Sequence, residues 1–279
     1  MNRIANSKTI LITGCSSGIG QCAAIGLHGR GYRVFASVRQ EKDIEPLQKA
    51  GIESLQIDLT SSNSIEQGLE SVLSASDGSL YALFNNGAFG QPGAVEDLTR
   101  DTLRKQFETN VFGWQELTNL VIPVMRKQGY GRIIQNSSIL GFVSLAYRGA
   151  YNASKYAIEG LSDTLRLELK GSNIYISIIE PGPITSKFRQ NAVMHLKNNI
   201  DLKNSVHADN YLKTIKKLEQ EGPVVPFTLP ADAVLKKVIK ALEKKRPAER
   251  YYVTFPTHLF GFLKRILTTR ALDRMLSKV

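Results

Sequence analysis

No stretch of this sequence stays apolar for the roughly 18 residues that a bilayer-spanning helix needs, so nothing in it reads as a membrane span. Cysteine is scarce as well. Cys15 and Cys22 are the only two, and they read as buried or loop thiols of a reducing compartment, not as a disulfide. The four histidines, His28, His195, His207 and His258, are scattered without metal-ligand spacing, and no metal site is expected. Only seven residues precede the first strand-like run, Lys8 to Thr13. That leaves no room for a secretory signal, and a cytoplasmic location is expected. Basic and aromatic residues do not cluster into a groove, so nucleic acid is not an expected partner. Internal repeats and low-complexity segments are missing too.

Acidic charge is short only in the C-terminal third. Residues 1–186 carry 17 Lys+Arg and 17 Asp+Glu, whereas residues 187–279 carry 19 and 8, the whole of the net +11. The excess is either a set of solvated helix faces or a surface that meets anionic lipid or an acidic partner. With 279 residues, 42% of them hydrophobic, the chain can bury one large α/β core.

Strand-like and helix-like patterns alternate along it. Lys8–Thr13, Arg33–Val38, Ile52–Ile57, Leu80–Asn85, Arg132–Ser137 and Ile174–Ile179 read as strands. Between them lie helical stretches at Gly18–Gly29, at Ser61–Ala75 with Ser61 or Ser62 as the cap, at Asp101–Arg126, and at Ala150–Lys170. Tyr251–Phe255 reads as a last strand. This alternation predicts a single doubly wound, Rossmann-type parallel sheet of about seven strands with helices on both faces, and functional loops at the carboxyl edge. The expected organisation is one domain: a core over 7–186, a substrate lid over 187–229 with a helix from about Ala208 to Gln220, a last core helix and strand over 230–256, and a basic amphipathic tail over 257–279.

The turn Thr13-Gly14-Cys15-Ser16-Ser17-Gly18-Ile19-Gly20 follows the first strand and opens a helix, the context a phosphate-binding turn needs. Gly14 permits the tight turn, Gly18 lets the backbone approach a pyrophosphate, and Gly20 allows close helix packing, while the helix start offers N–H groups to phosphate. Ser16 and Ser17 add hydroxyls. The second strand ends Ser37-Val38-Arg39, with no carboxylate for ribose hydroxyls and a guanidinium suited to a phosphate, so NADP(H) is expected over NAD(H). Asp58 is a candidate acceptor for the adenine amino group and Leu59 a surface for its ring. Asn85, Asn86 and Gly87 end the fourth strand where the backbone can pass the adenosine ribose. After the sixth strand, Pro181, Gly182, Ile184, Thr185 and Ser186 can meet the carboxamide and the pyrophosphate.

Tyr151 and Lys155 stand four residues apart, one helical turn, so both side chains point the same way. An ammonium beside a phenol stabilises the phenolate. Ser138 lies thirteen residues upstream of Tyr151. With the glycine turn, Asn110 inside a long helix, and Pro181-Gly182, these motifs make the chain resemble the short-chain dehydrogenase/reductase family over at least residues 7–188. Within it, the chain is similar to the branch of 17β-hydroxysteroid dehydrogenases, retinol dehydrogenases and bacterial NADP-dependent aldehyde reductases. The resemblance implies that Tyr151 gives or takes the substrate proton, that Lys155 lowers the Tyr pKa and bonds the nicotinamide ribose, and that Ser138 holds the substrate oxygen. It also implies that Asn110 distorts its helix and holds a water leading from Lys155. One departure is the order Asn85-Asn86-Gly87-Ala88 where the family reads Asn-Asn-Ala-Gly, which puts a Cβ at position 88 and shifts the loop toward Phe89.

Phe89, Phe142, Val143 and Leu145, with Phe188 and Met194 from the lid, suggest an apolar pocket and a lipophilic substrate: an aliphatic aldehyde, a retinoid or a steroid. The tail, with Leu259, Phe260, Phe262, Leu263, Ile266 and Leu267 beside Lys264, Arg265, Arg270 and Arg274, either packs beside the lid or touches an anionic bilayer peripherally. A homodimer or tetramer is expected, as the resemblance implies, through the two long helices, with Trp114, Leu117 and Leu161 as candidate contacts or as core. An alternative to the enzyme is an NADP(H)-sensing protein of the same fold without turnover.

Overall fold

The strand β1 (Thr9–Ile12) is buried at every position, and its two faces feed two different cores. Ile10 and Ile12 pack with Ala23, Leu27, Val234 and Val238 on one side of the sheet, while Leu11 packs with Trp114, Leu117 and Val121 on the other. Side chains alternate along a strand, so a strand covered on both faces must be apolar throughout. The computed structural model describes residues 8–220, 222 and 225–278. Residues 1–7, 221, 223, 224 and 279 lie outside the described residues, and with them the first position of the expected core, three of the expected lid and the last of the tail.

Seven parallel strands form one sheet in the order β3-β2-β1-β4-β5-β6-β7. After β1 come α1 (Gly18–His28), β2 (Arg33–Val38), α2 (Glu45–Lys49), β3 (Glu53–Gln56), α3 (Ser62–Ala75) and β4 (Ala82–Asn85). Then follow α4 (Arg100–Phe107), α5 (Gly113–Gln128), β5 (Gly131–Asn136), α6 (Gly149–Glu168) and β6 (Ile174–Glu180). The order reverses between β1 and β4, where Ile10 pairs with Ala82 on one side and Val34 on the other. A crevice therefore opens at the carboxyl ends of these two strands. Ser61 caps α3 by accepting the Ser64 N–H at 3.3 Å, as its sequence position predicts.

The structure differs from the sequence expectation in several places. The long helix is not uniformly α: a π-helical turn, Glu108–Phe112, separates α4 from α5. The region after Ser186 holds a helix, α7 (Phe188–Asn199), ahead of the expected α8 (Ala208–Glu219). Val193, Leu196, Tyr211 and Ile215 of these two helices form a small core of their own, which their polar composition hides. The last strand, β7 (Arg250–Tyr252), follows α9 (Asp232–Glu243) and ends before Phe255. Pro256 in the first turn of α10 (Phe255–Ile266) favours helix there instead, and α11 (Thr269–Leu276) completes the described chain. Finally, Trp114 and Leu117 are fully buried on the sheet-facing side of α5 with Val121 and Met125. They are core residues and cannot be subunit contacts; Leu161 remains exposed on α6.

Candidate active site

The glycine turn is held by its neighbours' side chains. Thr13 Oγ1 accepts the N–H groups of Asn86 and Gly87, both at 2.9 Å. Asn86 Nδ2 donates to the carbonyls of Thr13 (3.0 Å) and Gly14 (3.2 Å), and Asn86 Oδ1 accepts from Asn136 Nδ2 at 2.9 Å. One amide thus ties together the ends of β1, β4 and β5. Gly14 and Gly18 adopt φ of +69° and +60°, a left-handed region that side chains with a Cβ avoid. A Cβ on Gly20 would stand 2.3 Å from the Gly14 carbonyl oxygen, so α1 packs directly on the turn. Ser17, its N-cap, makes no side-chain cap bond. No side chain thus caps the first N–H groups of α1, which a helix start can offer to an anion.

The loop after β6 covers this turn. Ser186 Cβ lies 2.9 Å from where a Cβ on Gly18 would be. Pro181 O accepts the Ile139 N–H at 2.8 Å, and Thr185 N–H donates to Leu229 O at 3.0 Å, beside the Ile184–Leu229 bridge. Gly182 abuts Thr254, leaving no room for a Cβ. On the adenosine side, Arg39 is exposed at the end of β2. Asp58 Oδ1 is engaged by the N–H and hydroxyl of Thr60 at 2.9 and 2.8 Å. Leu59 is buried, and its side chain faces Gly87. Asn85 is turned inward, donating to Thr118 Oγ1 at 2.9 Å. The Gly87-Ala88 order is accommodated closely: a Cβ at 87 would lie 3.2 Å from Gly14 N and Leu59 Cδ1.

Tyr151 sits in the first turn of α6 and Lys155 in the next, facing the loop after β5. The Ser138 side chain acts on the Tyr151 phenol, favouring its ionised form, and its Oγ accepts the Leu140 N–H at 3.1 Å. Lys155 Nζ donates to Asn136 O at 2.7 Å and lies 4.2 Å from the Trp114 ring centroid and 5.6 Å from that of Tyr151. Burial pushes the Lys155 ammonium down to about 7, and Glu159 opposes this. Burial pushes the Tyr151 phenol well above its ordinary value, opposed by Ser138. This reverses the expected direction for Tyr151. The ammonium is committed to Asn136 O, and desolvation of the neutral-favouring pocket outweighs what stabilises the phenolate.

Asn110 lies fully buried in the π-helical turn. Its Oδ1 accepts the Phe89 N–H (3.2 Å), while Nδ2 donates to Phe89 O (3.0 Å) and Ser154 Oγ (3.2 Å). The side chain is thus spent on fixing the loop after β4 against α6. Phe89 stacks on His195 of α7, ring centroids 4.4 Å apart, and Phe188 meets Tyr151 edge-on at 5.4 Å. Phe142 packs on Tyr252 at 5.6 Å, and Leu145 is half-buried. Val143 is buried and its carbonyl accepts Asn152 Nδ2 at 2.7 Å, so its backbone supports the loop from within. His195 carries a lowered pKa through burial and then the Arg39 charge.

Sequence reasoning missed a charged cluster one turn below Lys155. Arg250 Nη1 bonds Glu159 and, at 3.0 Å, Glu180 Oε1, while Nη2 bonds Asp163 Oδ2 at 2.7 Å. Burial, then Glu159, pushes the Glu180 carboxyl up to about 8, against Arg250. Only the i, i+4, i+8 spacing of Lys155, Glu159 and Asp163 signals it in the sequence; Arg250 is too far along the chain.

Comparison with known proteins agrees with this arrangement. The family model described as short chain dehydrogenase matches residues 8–197. The uncharacterized oxidoreductase YbbO of Escherichia coli (strain K12) is 39% identical over 269 residues, covering 96% of this chain and 94% of that protein. Retinol dehydrogenase 8 of Homo sapiens is 36% identical over 194 residues, covering 66% of this chain and 61% of the human protein. A short-chain dehydrogenase from Streptomyces avermitilis has a solved structure that superposes with a TM-score of 0.78 at 27% identity, over 93% of this chain and 94% of that one.

Proposed function

This chain belongs to the short chain dehydrogenase family of oxidoreductases, and we propose that within it the protein uses NADP(H) to interconvert a lipophilic carbonyl and its alcohol. The residues present fit a dinucleotide. The left-handed Gly14 and Gly18, the uncapped start of α1 and Ser186 closing over them leave backbone donors where a pyrophosphate would lie. Gly14, Ser16, Ser17, Gly18, Ile19 and Gly20 would hold the phosphates. Asp58, Leu59, Asn85 and Gly87 would flank the adenosine, and Pro181, Gly182, Ile184, Thr185 and Ser186 the nicotinamide. Arg39, with no carboxylate within β2, supports the phosphorylated form over NAD(H).

When bound, the dinucleotide supplies or takes the hydride. The single observation that carries the reading is the convergence of Ser138 and Lys155 on Tyr151, with Lys155 Nζ 5.6 Å from the phenol ring centroid. Tyr151, kept protonated by burial, gives its proton to the carbonyl oxygen in reduction and recovers it in oxidation. Ser138 holds the same oxygen as charge develops on it. Lys155 replenishes the phenol and bonds the ribose. Asn110 keeps Phe89 in place beside the reacting atoms. Phe89, Phe142, Leu145 and Phe188 present the apolar surface that favours aliphatic aldehydes, retinoids or steroids. Leu161 and Leu167, exposed on α6, fit pairing with a second copy.

NADPH and NADH oxidation across a panel of long-chain aldehydes, retinal and ketosteroids tests the proposal. The expected result is NADPH-dependent turnover that falls about 10²- to 10⁴-fold in Tyr151→Phe with dinucleotide binding kept. Near-parental turnover in that variant would refute the assignment of Tyr151. An unchanged NADPH preference in Arg39→Asp would refute that of Arg39.

A further inference from the structure

Helix α10 is built inside out. The side it turns to the protein carries its smallest residues: Thr257 and Gly261 are buried, and a Cβ on Gly261 would stand 2.5 Å from the Tyr252 ring. The opposite side carries Phe255, Leu259, Phe262 and Ile266, which are 56, 36, 61 and 59% exposed. Their spacing of i, i+4, i+7 and i+11 makes one straight stripe. A helix of a water-soluble surface puts its large apolar residues on the side that is buried, and contiguous apolar exposure marks an interaction face. The stripe is extended at one end by Phe227, itself 56% exposed, whose ring lies 4.9 Å from that of Phe255. At the other end Met275 of α11 is 39% exposed.

We propose that α10 and α11 form a docking surface for an anionic lipid bilayer. Charge decides the occupant. From Phe255 to Lys278 the chain carries Lys264, Arg265, Arg270, Arg274 and Lys278 against Asp273 alone. A second copy of this face would bring the same positive charges and repel the first, because a two-fold interface must be self-complementary. Anionic headgroups match the exposed Arg265, Arg270, Arg274 and Lys278, while the stripe enters the acyl boundary. Among the described residues no helix is long and apolar enough to cross a membrane, so the contact is peripheral. The surface is rigidly mounted: Tyr252 meets His258 at 5.4 Å between ring centroids, and Lys264 Nζ donates to the carbonyl of Phe142. That last contact joins the bilayer face to the loop beside Ser138. Delivery of lipophilic substrate from the bilayer rests on the proposed reaction, whereas the docking does not.

Co-sedimentation of the full chain with phosphatidylcholine vesicles, and with phosphatidylcholine–phosphatidylglycerol vesicles, tests the docking without turnover. The protein is expected to pellet with the anionic vesicles at low salt and to be released at about 1 M salt, where the screening length is about 3 Å. Phe262→Asp with Ile266→Asp, both exposed positions, should weaken pelleting at least about tenfold with an unchanged melting temperature. Absence of pelleting, or equal pelleting of parent and double variant, overturns the proposal. So does a drop in oligomeric mass of the double variant by light scattering, which assigns the stripe to a second copy. Turnover of the aldehyde, retinal and ketosteroid panel by the double variant, in the absence of vesicles, shows separately whether the catalytic reading stands.

Discussion

Lys155 is the residue whose environment is most at odds with its chemistry. An ammonium in solution titrates near pH 10.4, yet burial holds this one at about 7. Between pH 7 and pH 10 the unfolded chain therefore binds a proton at this position that the folded chain does not. Linkage then makes the folded state gain stability as pH rises through that window, with a slope approaching about 1.4 kcal/mol per pH unit. Urea midpoints of the parent and of Lys155→Met at pH 7, 8 and 9 isolate this contribution. The parent should gain relative to the variant at each step, and parallel curves would show that the ammonium is not desolvated. Tyr151, Lys155 and Ser138 were legible in the sequence because local spacing and the motif place them. The directions of the Tyr151 and Lys155 shifts were not, because the burial that desolvates both groups is made only by the fold.

Elements were legible to the extent that their periodicity was strong. The first six strands read within two residues at either end, whereas the last stops three residues short of its expected end, and α3 read cleanly from its Ser61 cap. Helix α7 did not, since its apolar residues are few and their partners Tyr211 and Ile215 lie on α8. The π-helical turn was legible only as a distortion at Asn110. Helix packing also separates two glycines that look alike in sequence. Gly20 of α1 is wedged 2.3 Å from Gly14 O once a Cβ is added, whereas Gly160 of α6 has nothing within 4 Å. Gly160→Ala should stabilise the protein by about 0.5–1 kcal/mol. Gly20→Ala should destabilise it by about 1–3 kcal/mol and weaken dinucleotide binding. Thermal melts with and without NADPH measure both, and equal effects at the two sites would contradict the packing described.

At the scale of the whole molecule, Arg250 joins α6, β6 and β7 by binding Glu159, Glu180 and Asp163 together. Removing it leaves Glu159, Asp163 and the Glu180 carboxyl, which burial already pushes up to about 8, without the guanidinium they share. Arg250→Met should cost about 3 kcal/mol, the low end for a buried pair because Asp163 and Arg250 keep some contact with water. A two-state urea titration at neutral pH reads this cost, and a loss below about 1 kcal/mol would mean that the cluster is solvated. The cluster escaped sequence reading because its members are separated by 70 residues or more from Arg250. The sheet order has a further bearing on synthesis. The Thr13 N–H is satisfied by Phe84 O, and the Thr13 hydroxyl by Asn86 and Gly87. A nascent chain therefore cannot close its glycine turn when that turn leaves the ribosome, and must wait for some seventy more residues to emerge.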